Sequence, residues 1–379
     1  MNINELREEI DAVDQTILQA FLRQMELAEG AAAYKHENGL PLADKARERA
    51  LLHHAQTEAG ELAPYAFELF HTLINLSKAR QYQRFPQGAA IRAQVEAALA
   101  AGEEVFPRGG TVACQGIEGA NSQAACDKLF PQGNIVYVKT FDAVFDAVES
   151  GLCQFGVLPI ENSSSGSVRA VYDLLQQRQF SIVRATNLHI RHALLARPGA
   201  KLANLREIYS HEQAFLQCGK VLATLPNGVK LIPCENTATA AQMVADSGRD
   251  DCAAIAAQDC AALYGLNALN EQIADSENNH TRFICISKEP KIFAGANKIS
   301  LILSCRNESG SLYSNLSKLA ARGINMSKLE SYPVTGRSFE FSFFIDVDAS
   351  VREDGVLAML EELEYTAESC AFLGNYAVV

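Results

Sequence analysis

The apolar positions of this chain follow three different periods. In the first 85 residues, Leu6, Ile10, Val13, Ile17, Phe21 and Leu27 recur at steps of three, four and six, a stripe of period 3.6. Asn4 followed by Glu5 and Glu8 predicts a helix start, and Asn38-Gly39 with Pro41 predicts its end. A helix of about 30 residues is longer than the globular norm and calls for a partner chain or a bundle. Shorter helices are predicted over 45–59 and 64–83. Residues 86–110 carry two Pro/Gly-rich stretches, at Pro86 and Pro107, and read as a linker around one amphipathic helix near 91–101.

Residues 111–289 alternate short apolar runs with helical patterns. The runs "TVAC", "NIVYV", "FGVLPI", "SIVRAT", "EIYS", "CAAIAA" and "RFICIS" predict strands, and the alternation predicts α/β order with a mostly parallel sheet. Ligands of such sheets bind beyond the carboxyl ends of strands. The stretch "PIENSSSGSV" stands at such an end, crowded with hydrogen-bonding groups. Residues 297–379 read strand, helix, hairpin, helix, strand, a βαββαβ ferredoxin-like unit with its hairpin turn around Thr335-Gly336.

Composition narrows the function classes. A length of 379 residues predicts two or three domains. The net charge of −12 argues against a general binder of nucleic acid or acidic membranes, but leaves room for a local anionic substrate site. The first 29 residues alternate charge and apolarity, unlike a signal peptide, and no run approaches a membrane span. Ten cysteines without CxxC spacing read as reduced core thiols of a cytoplasmic protein, with no metal site and no cofactor.

The helical segment places Arg7, Lys35, Arg47, Glu48, Ser77 and Gln81 on three helices. Taken singly these are solvated surface groups. Taken together, "LREEIDAVD", "ADKARERALL" and the Ser77-x-x-x-Gln81 pair resemble the chorismate mutase domain of the bifunctional P-protein family, chorismate mutase–prephenate dehydratase. The resemblance implies an all-α, intertwined homodimer. It assigns Arg7 and Arg47 to the substrate carboxylates, and Lys35 and Gln81 to the ether oxygen. Glu48 would hold the ring hydroxyl, with Asp44 and Ser77 completing the shell. The chemistry fits: a Claisen rearrangement needs a compact conformer and cations aimed at developing negative charge, not a nucleophile. Where the family has an arginine reaching across the dimer, this chain has Gln24, on one face with Ile10 and Ile17 in a seven-residue reading; Arg23 lies beside it.

The middle segment carries five ordered motifs, "GIEGANSQAA", "PIENSSSGSV", "YSHEQAF", "ENTATAA" and "NHTRFICIS", that resemble prephenate dehydratase. The implied fold is two-lobed α/β, similar to periplasmic binding proteins. Thr281 is then the candidate to donate a proton or hydrogen bond to the departing hydroxyl. Arg282 suits carboxylate binding or a structural ion pair. Asn162, Ser163, Ser164, Gln213, Thr237 and Phe283 are candidate binders. Glu161 either orients the loop or touches substrate. Ser122 opens a helix, as a binder or only an N-cap. His211 invites an acid–base role, but it precedes a helix at a strand end, so positioning or capping stands equal, and it is kept among the candidate binders.

The last segment resembles an ACT regulatory domain, which binds an amino acid between subunits. "SGSLYSNL" supplies Gly310, Ser311 and Leu312 at a helix start suited to a carboxylate. "LESYP" supplies Glu330, Ser331, Tyr332 and Pro333, with Tyr332 where the family usually has arginine. The domains implied are 1–85, the linker 86–110, 111–289 and 297–379. The implied function is conversion of chorismate to prephenate and of prephenate to phenylpyruvate, with phenylalanine as effector. Two alternatives are a dehydratase whose helical domain serves mainly for dimerisation, and a two-lobed solute sensor without chemistry.

Overall fold

The computed structural model describes residues 2–42, 44–84, 90–101, 105–226, 228–308, 310–333 and 341–379. It groups into two compact units, Met1–Gln94 with Leu301–Ala371, and Val95–Ser300 with Phe372–Val379. The predicted linker is therefore divided. Its helix spans Ala90–Ala101, and it belongs partly to each unit. The Thr335-Gly336 turn and the Pro86 stretch lie outside the described residues.

Three helices open the first unit: α1 (Ile3–Glu37), α2 (Lys45–Ala59) and α3 (Ala63–Arg84), with α4 being Ala90–Ala101. The start of α1 differs from the expectation. Asn2, not Asn4, is the N-cap, and it forms a capping box with Glu5, because that box needs its acid three residues after the cap. The stripe residues Ile10, Val13 and Ile17 are each more than half exposed.

In the second unit the order is β1 (Gly109–Gln115), α5 (Asn121–Leu129), β2 (Gln132–Val138), α6 (Phe141–Glu149), β3 (Phe155–Asn162), β4 (Gly166–Ser167), α7 (Arg169–Gln177), β5 (Ser181–His189) and β6 (Ala193–Ala196). There follow β7 (Glu207–Ser210), α8 (Glu212–Gln217), α9 (Gly219–Leu222), β8 (Lys230–Pro233), α10 (Thr237–Asp246), β9 (Cys252–Ala256), α11 (Asp259–Tyr264), β10 (Asn267–Asn270) and β11 (His280–Ser287).

These strands form two mixed sheets rather than one mostly parallel sheet. The orders are β2-β1-β3-β11-β5, with β4 on β3, and β10-β6-β9-β7-β8. The chain leaves the first lobe after β5 and returns as β11, which therefore runs antiparallel to both β3 and β5. The first lobe is packed by Phe106, Phe130, Phe155 and Phe293. The second is alanine-rich, so α10 sits close on its sheet through Ala238, Ala240 and Ala241.

The C-terminal segment is β12 (Lys298–Ser304), α12 (Ser311–Ala320), β13 (Asn325–Pro333), β14 (Phe341–Asp348), α13 (Val356–Thr366) and β15 (Ser369–Tyr376). Its sheet order, β13-β14-β12-β15, is that of the expected ferredoxin-like βαββαβ unit.

Candidate active sites

The stretch that ends β3 is a hairpin as well as a loop. Glu161 and Asn162 pair with Ser167 and Gly166 of β4. The side chain of Asn162 closes the turn, its Oδ1 accepting from the Ser164 and Ser165 N–H groups at 2.9 Å each. Its other end is thereby fixed as the donor. Nδ2 donates to Asn279 Oδ1 at 2.7 Å and to Thr281 Oγ at 2.9 Å. Because the Thr281 hydroxyl accepts this bond, its own hydrogen remains available to the cleft.

The network continues inward. Asn279 is buried, and its Nδ2 donates to Gln217 Oε1 at 3.0 Å. Gln217 Nε2 donates to Ser165 Oγ at 3.1 Å, so Oε1 is an acceptor throughout. His192 Nε2, 2.8 Å from the same oxygen, must then carry the hydrogen. Burial pushes the His192 pKa below its ordinary value, against the opposing pull of the Gln217 bond. A lowered folded-state pKa means that the unfolded chain takes up the proton first. The stability contributed by neutral His192 is present above 6.5 and is lost as pH falls from there through the lower folded value. We expect the urea midpoint to fall over that interval, and His192→Gln to flatten the dependence.

Of these groups, Asn162, Ser165, His192, Gln217 and Thr281 line a cleft of about 490 Å³ between the two lobes of the second unit. It has an apolar side, with Phe141, Pro159, Ile190 and Phe283. Among the described lining residues there is no lysine or arginine. The lining holds one carboxylate, Glu235, and the starts of α5 and α10, at Asn121 and Thr237. Helix α5 begins at Asn121 after Ala120, which provides no side-chain cap for the Asn121 and Ser122 N–H groups, while the Gln123 N–H donates to Ala120 O at 2.9 Å. Ser122 is the second residue of that helix, buried and lining the cleft, which removes the capping alternative for it.

Of the residues singled out by sequence, Ser122, Asn162, His211, Gln213, Thr237, Thr281 and Phe283 line this cleft. His211 is the N-cap of α8, its Nδ1 accepting from the Gln213 N–H at 3.2 Å. Glu161, Ser163, Ser164 and Arg282 are not in the lining. Strand alternation explains Arg282: with Thr281 and Phe283 facing the cleft, Arg282 faces away and pairs with Glu161 at 2.8 Å. This is the ion-pair alternative, and it gives Glu161 its orienting role. Ser163 ties the hairpin to β11, its hydroxyl donating to Asn278 O at 2.8 Å and accepting from the His280 N–H at 2.9 Å. Sequence reasoning did not single out Gln217, Asn279 or His192. Gln217 was signalled only by its position four residues after Gln213, one helical turn on.

In the first unit, Ser77 and Gln81 lie one turn apart on α3. Ser77 Oγ and Gln81 Oε1 are buried with no hydrogen-bond partner among the described residues, as polar groups awaiting a ligand would be. Glu48 is held by Lys78 at 3.0 Å. Both line a chamber of about 340 Å³ shared with Ser311 at the start of α12. Asp44, expected in the substrate shell, caps α2 by accepting from the Arg47 N–H at 3.1 Å. Arg47 itself is exposed, and Lys35 donates to the Leu42 carbonyl. Arg23, beside Gln24, pairs with Glu26 on the exposed face.

Helix geometry adds one constraint. Arg7 and Lys35 lie 28 residues apart on one uninterrupted helix, about 42 Å at 1.5 Å per residue, whereas Gln24 and Lys35 are about 16 Å apart. No small substrate spans the longer distance. If Arg7 and Lys35 share a site, Arg7 must reach in from a second chain.

In the C-terminal segment, Gly310 is the left-handed N-cap of α12, preceding Ser311 and Leu312. Glu330, Ser331, Tyr332 and Pro333 close β13, where Tyr332 is buried and Glu330 pairs with Lys328 at 3.3 Å.

A cleft with no lysine or arginine among its described lining residues, and a helical unit with buried unpartnered amide and hydroxyl groups, are the chain's two candidate sites. The prephenate dehydratase family model matches residues 112–291, and the chorismate mutase type II model matches residues 6–82. The bifunctional chorismate mutase/prephenate dehydratase of Enterobacter agglomerans is 32% identical over 380 residues, covering 98% of this chain and 95% of that one. The chain belongs to the bifunctional chorismate mutase/prephenate dehydratase family, and it carries both activities. Among solved structures, prephenate dehydratase from Arthrobacter aurescens in complex with L-Phe is 29% identical at a TM-score of 0.65, covering 70% of this chain and 89% of that one. GqqA, described as a novel type of quorum-quenching acylase, is 32% identical at a TM-score of 0.64, covering 71% of this chain and 98% of that one. Fold alone thus spans more than one activity, and the chemistry rests on the residues of the site.

Proposed function

We propose that the cleft between the two lobes removes water and carbon dioxide from prephenate with Thr281 as the proton donor. The observation that carries this reading is the Asn162–Thr281 hydrogen bond, in which the threonine oxygen accepts and its own hydrogen is left free for the cleft. Prephenate loses its ring carboxylate as carbon dioxide; the electron pair enters the ring, and the ring hydroxyl leaves. The Thr281 hydroxyl supplies hydrogen to that leaving oxygen, and one proton from solvent balances the reaction. The N–H groups at the start of α5, with Ser122 and Thr237, take the carboxylates without a buried cation. Phe141, Pro159 and Phe283 hold the ring. Purified protein given prephenate alone should form phenylpyruvate, and given chorismate alone should form both products in sequence. Chorismate turnover without phenylpyruvate would overturn the cleft assignment.

The mutase reading places Lys35, Arg47, Glu48, Ser77 and Gln81 of one chain with Arg7 of its partner in a homodimer. The exposed apolar stripe of α1 supports it, being large enough to need cover. Gln24 offers a neutral hydrogen bond where a charged one contributes about 1–2 kcal/mol more. Gln24→Arg is therefore expected to raise mutase kcat/KM by about tenfold and leave the dehydratase unchanged in steady-state assays. No gain would show that position 24 is outside the site.

Phenylalanine is assigned to the C-terminal module, between Gly310–Leu312 and Glu330–Pro333, with its carboxylate at the start of α12. Calorimetry on the intact protein should show phenylalanine binding, and a flat titration would overturn this assignment. The same reading places the enzyme in the cytoplasm. The ten cysteines are free, and among the described residues no helix is long and apolar enough to cross a membrane.

A further inference from the structure

The last strand of the C-terminal module belongs to two bodies. Residues of β15 through Ala371 group with the first unit, and Phe372 onward groups with the second. Past Tyr376 the chain runs alongside β5, the outer strand of the first lobe's sheet. Val378 bridges Ala185 in parallel. The Ala185 N–H donates to Ala377 O at 3.0 Å, and the Val379 N–H donates to Ala185 O at 2.9 Å. The buried Thr186 hydroxyl donates to Val379 O at 2.7 Å, joined by Lys128 Nζ at 3.2 Å. Gly374 shows how tight the seat is: its φ is +153°, and a Cβ there would lie 2.1 Å from Ile182 O.

The placement matters because of what β5 touches next. It pairs with β11 in register, Ala185 with Ile284, Thr186 with Phe283 and Leu188 with Thr281. The segment after β15 is thus one strand away from the strand that presents Thr281. Without it, β5 would be an open edge in this stretch.

We propose that residues 374–379 form a positioning strap through which the C-terminal module sets the seat of Thr281. The strap is covalently continuous with β15, so a shift of that strand is transmitted to β5 and on to β11. Phenylalanine binding would lower dehydratase turnover by this route. The proposal rests on the reading of Thr281 as proton donor and phenylalanine as effector.

Thr186→Val removes the hydroxyl bond at constant volume, Thr186→Ser retains it, and a chain lacking residues 377–379 removes the pairing. Dehydratase kcat and KM for prephenate would be measured with and without phenylalanine, beside calorimetric phenylalanine binding. The valine variant and the shortened chain should bind phenylalanine as wild type does. Their inhibition should weaken by about fivefold or more, the low end of ordinary allosteric coupling. Basal kcat should fall more than KM changes, and Thr186→Ser should behave as wild type. Inhibition that stays at the wild-type level in the valine variant, with phenylalanine bound, overturns the strap. A wild-type chain that binds no phenylalanine overturns the effector reading, and the strap with it, before any variant is made.

Discussion

Replacing Thr281 with alanine is expected to lower phenylpyruvate formation from prephenate by about 10²–10⁴-fold, the range that a positioned acid contributes. Chorismate consumption should be unchanged, because the mutase residues lie in the other compact unit. Two losses combine. The leaving hydroxyl loses its hydrogen donor, and Asn162 Nδ2 loses one of its two acceptors. Thr281→Ser keeps the hydroxyl and should retain most activity. Asn162→Ala should give an intermediate loss, since the hydroxyl survives but is no longer oriented and the β3–β4 turn loses its closing bonds. Phenylpyruvate absorbance in alkali reads all three variants. Near wild-type turnover in Thr281→Ala would remove the threonine from the mechanism and shift attention to His192 and His211, the two imidazoles in the lining.

The second large effect is expected from mixing chains. Arg7→Ala and Lys35→Ala should each cut mutase activity by about 100-fold or more, as loss of a charge-assisted contact in a desolvated site does. If the long α1 forces Arg7 to act in the partner's site, a mixed dimer holds one site with both defects and one with neither. Unfolding and refolding the two variants together at equal amounts should therefore recover about a quarter of wild-type mutase sites, half of the dimers being mixed with one intact site each. Recovery confined to the background of the separate variants would mean that both residues act from one chain. The uninterrupted 35-residue helix forbids that geometry unless Arg7 has no place in the site. Dehydratase rates in the same samples serve as the internal measure of folded protein.

The sequence by itself determined the kind and order of most elements. Periodicity is a local property, so the stripe on α1, the buried runs of β1, β3, β9 and β11, and the βαββαβ order of the last segment were all readable. The motif residues at the ends of β3 and β11 were readable for the same reason. Their neighbours supply the loop chemistry within a few positions.

What the tertiary structure decided was everything set by residues far apart in the chain. The strands β6, β8 and β10 are four residues each, too short for a period to show, and are defined by the strands they pair with. The return of β11 from the second lobe set its antiparallel direction, and with it the facing of Thr281 into the cleft and of Arg282 onto Glu161. Asn162, Asn279, Gln217 and His192 form one hydrogen-bonded chain only because two crossings between the lobes bring them within about 3 Å of one another. A strand's alternation fixes that two side chains face opposite ways; which of them meets the substrate is fixed by the sheet it joins.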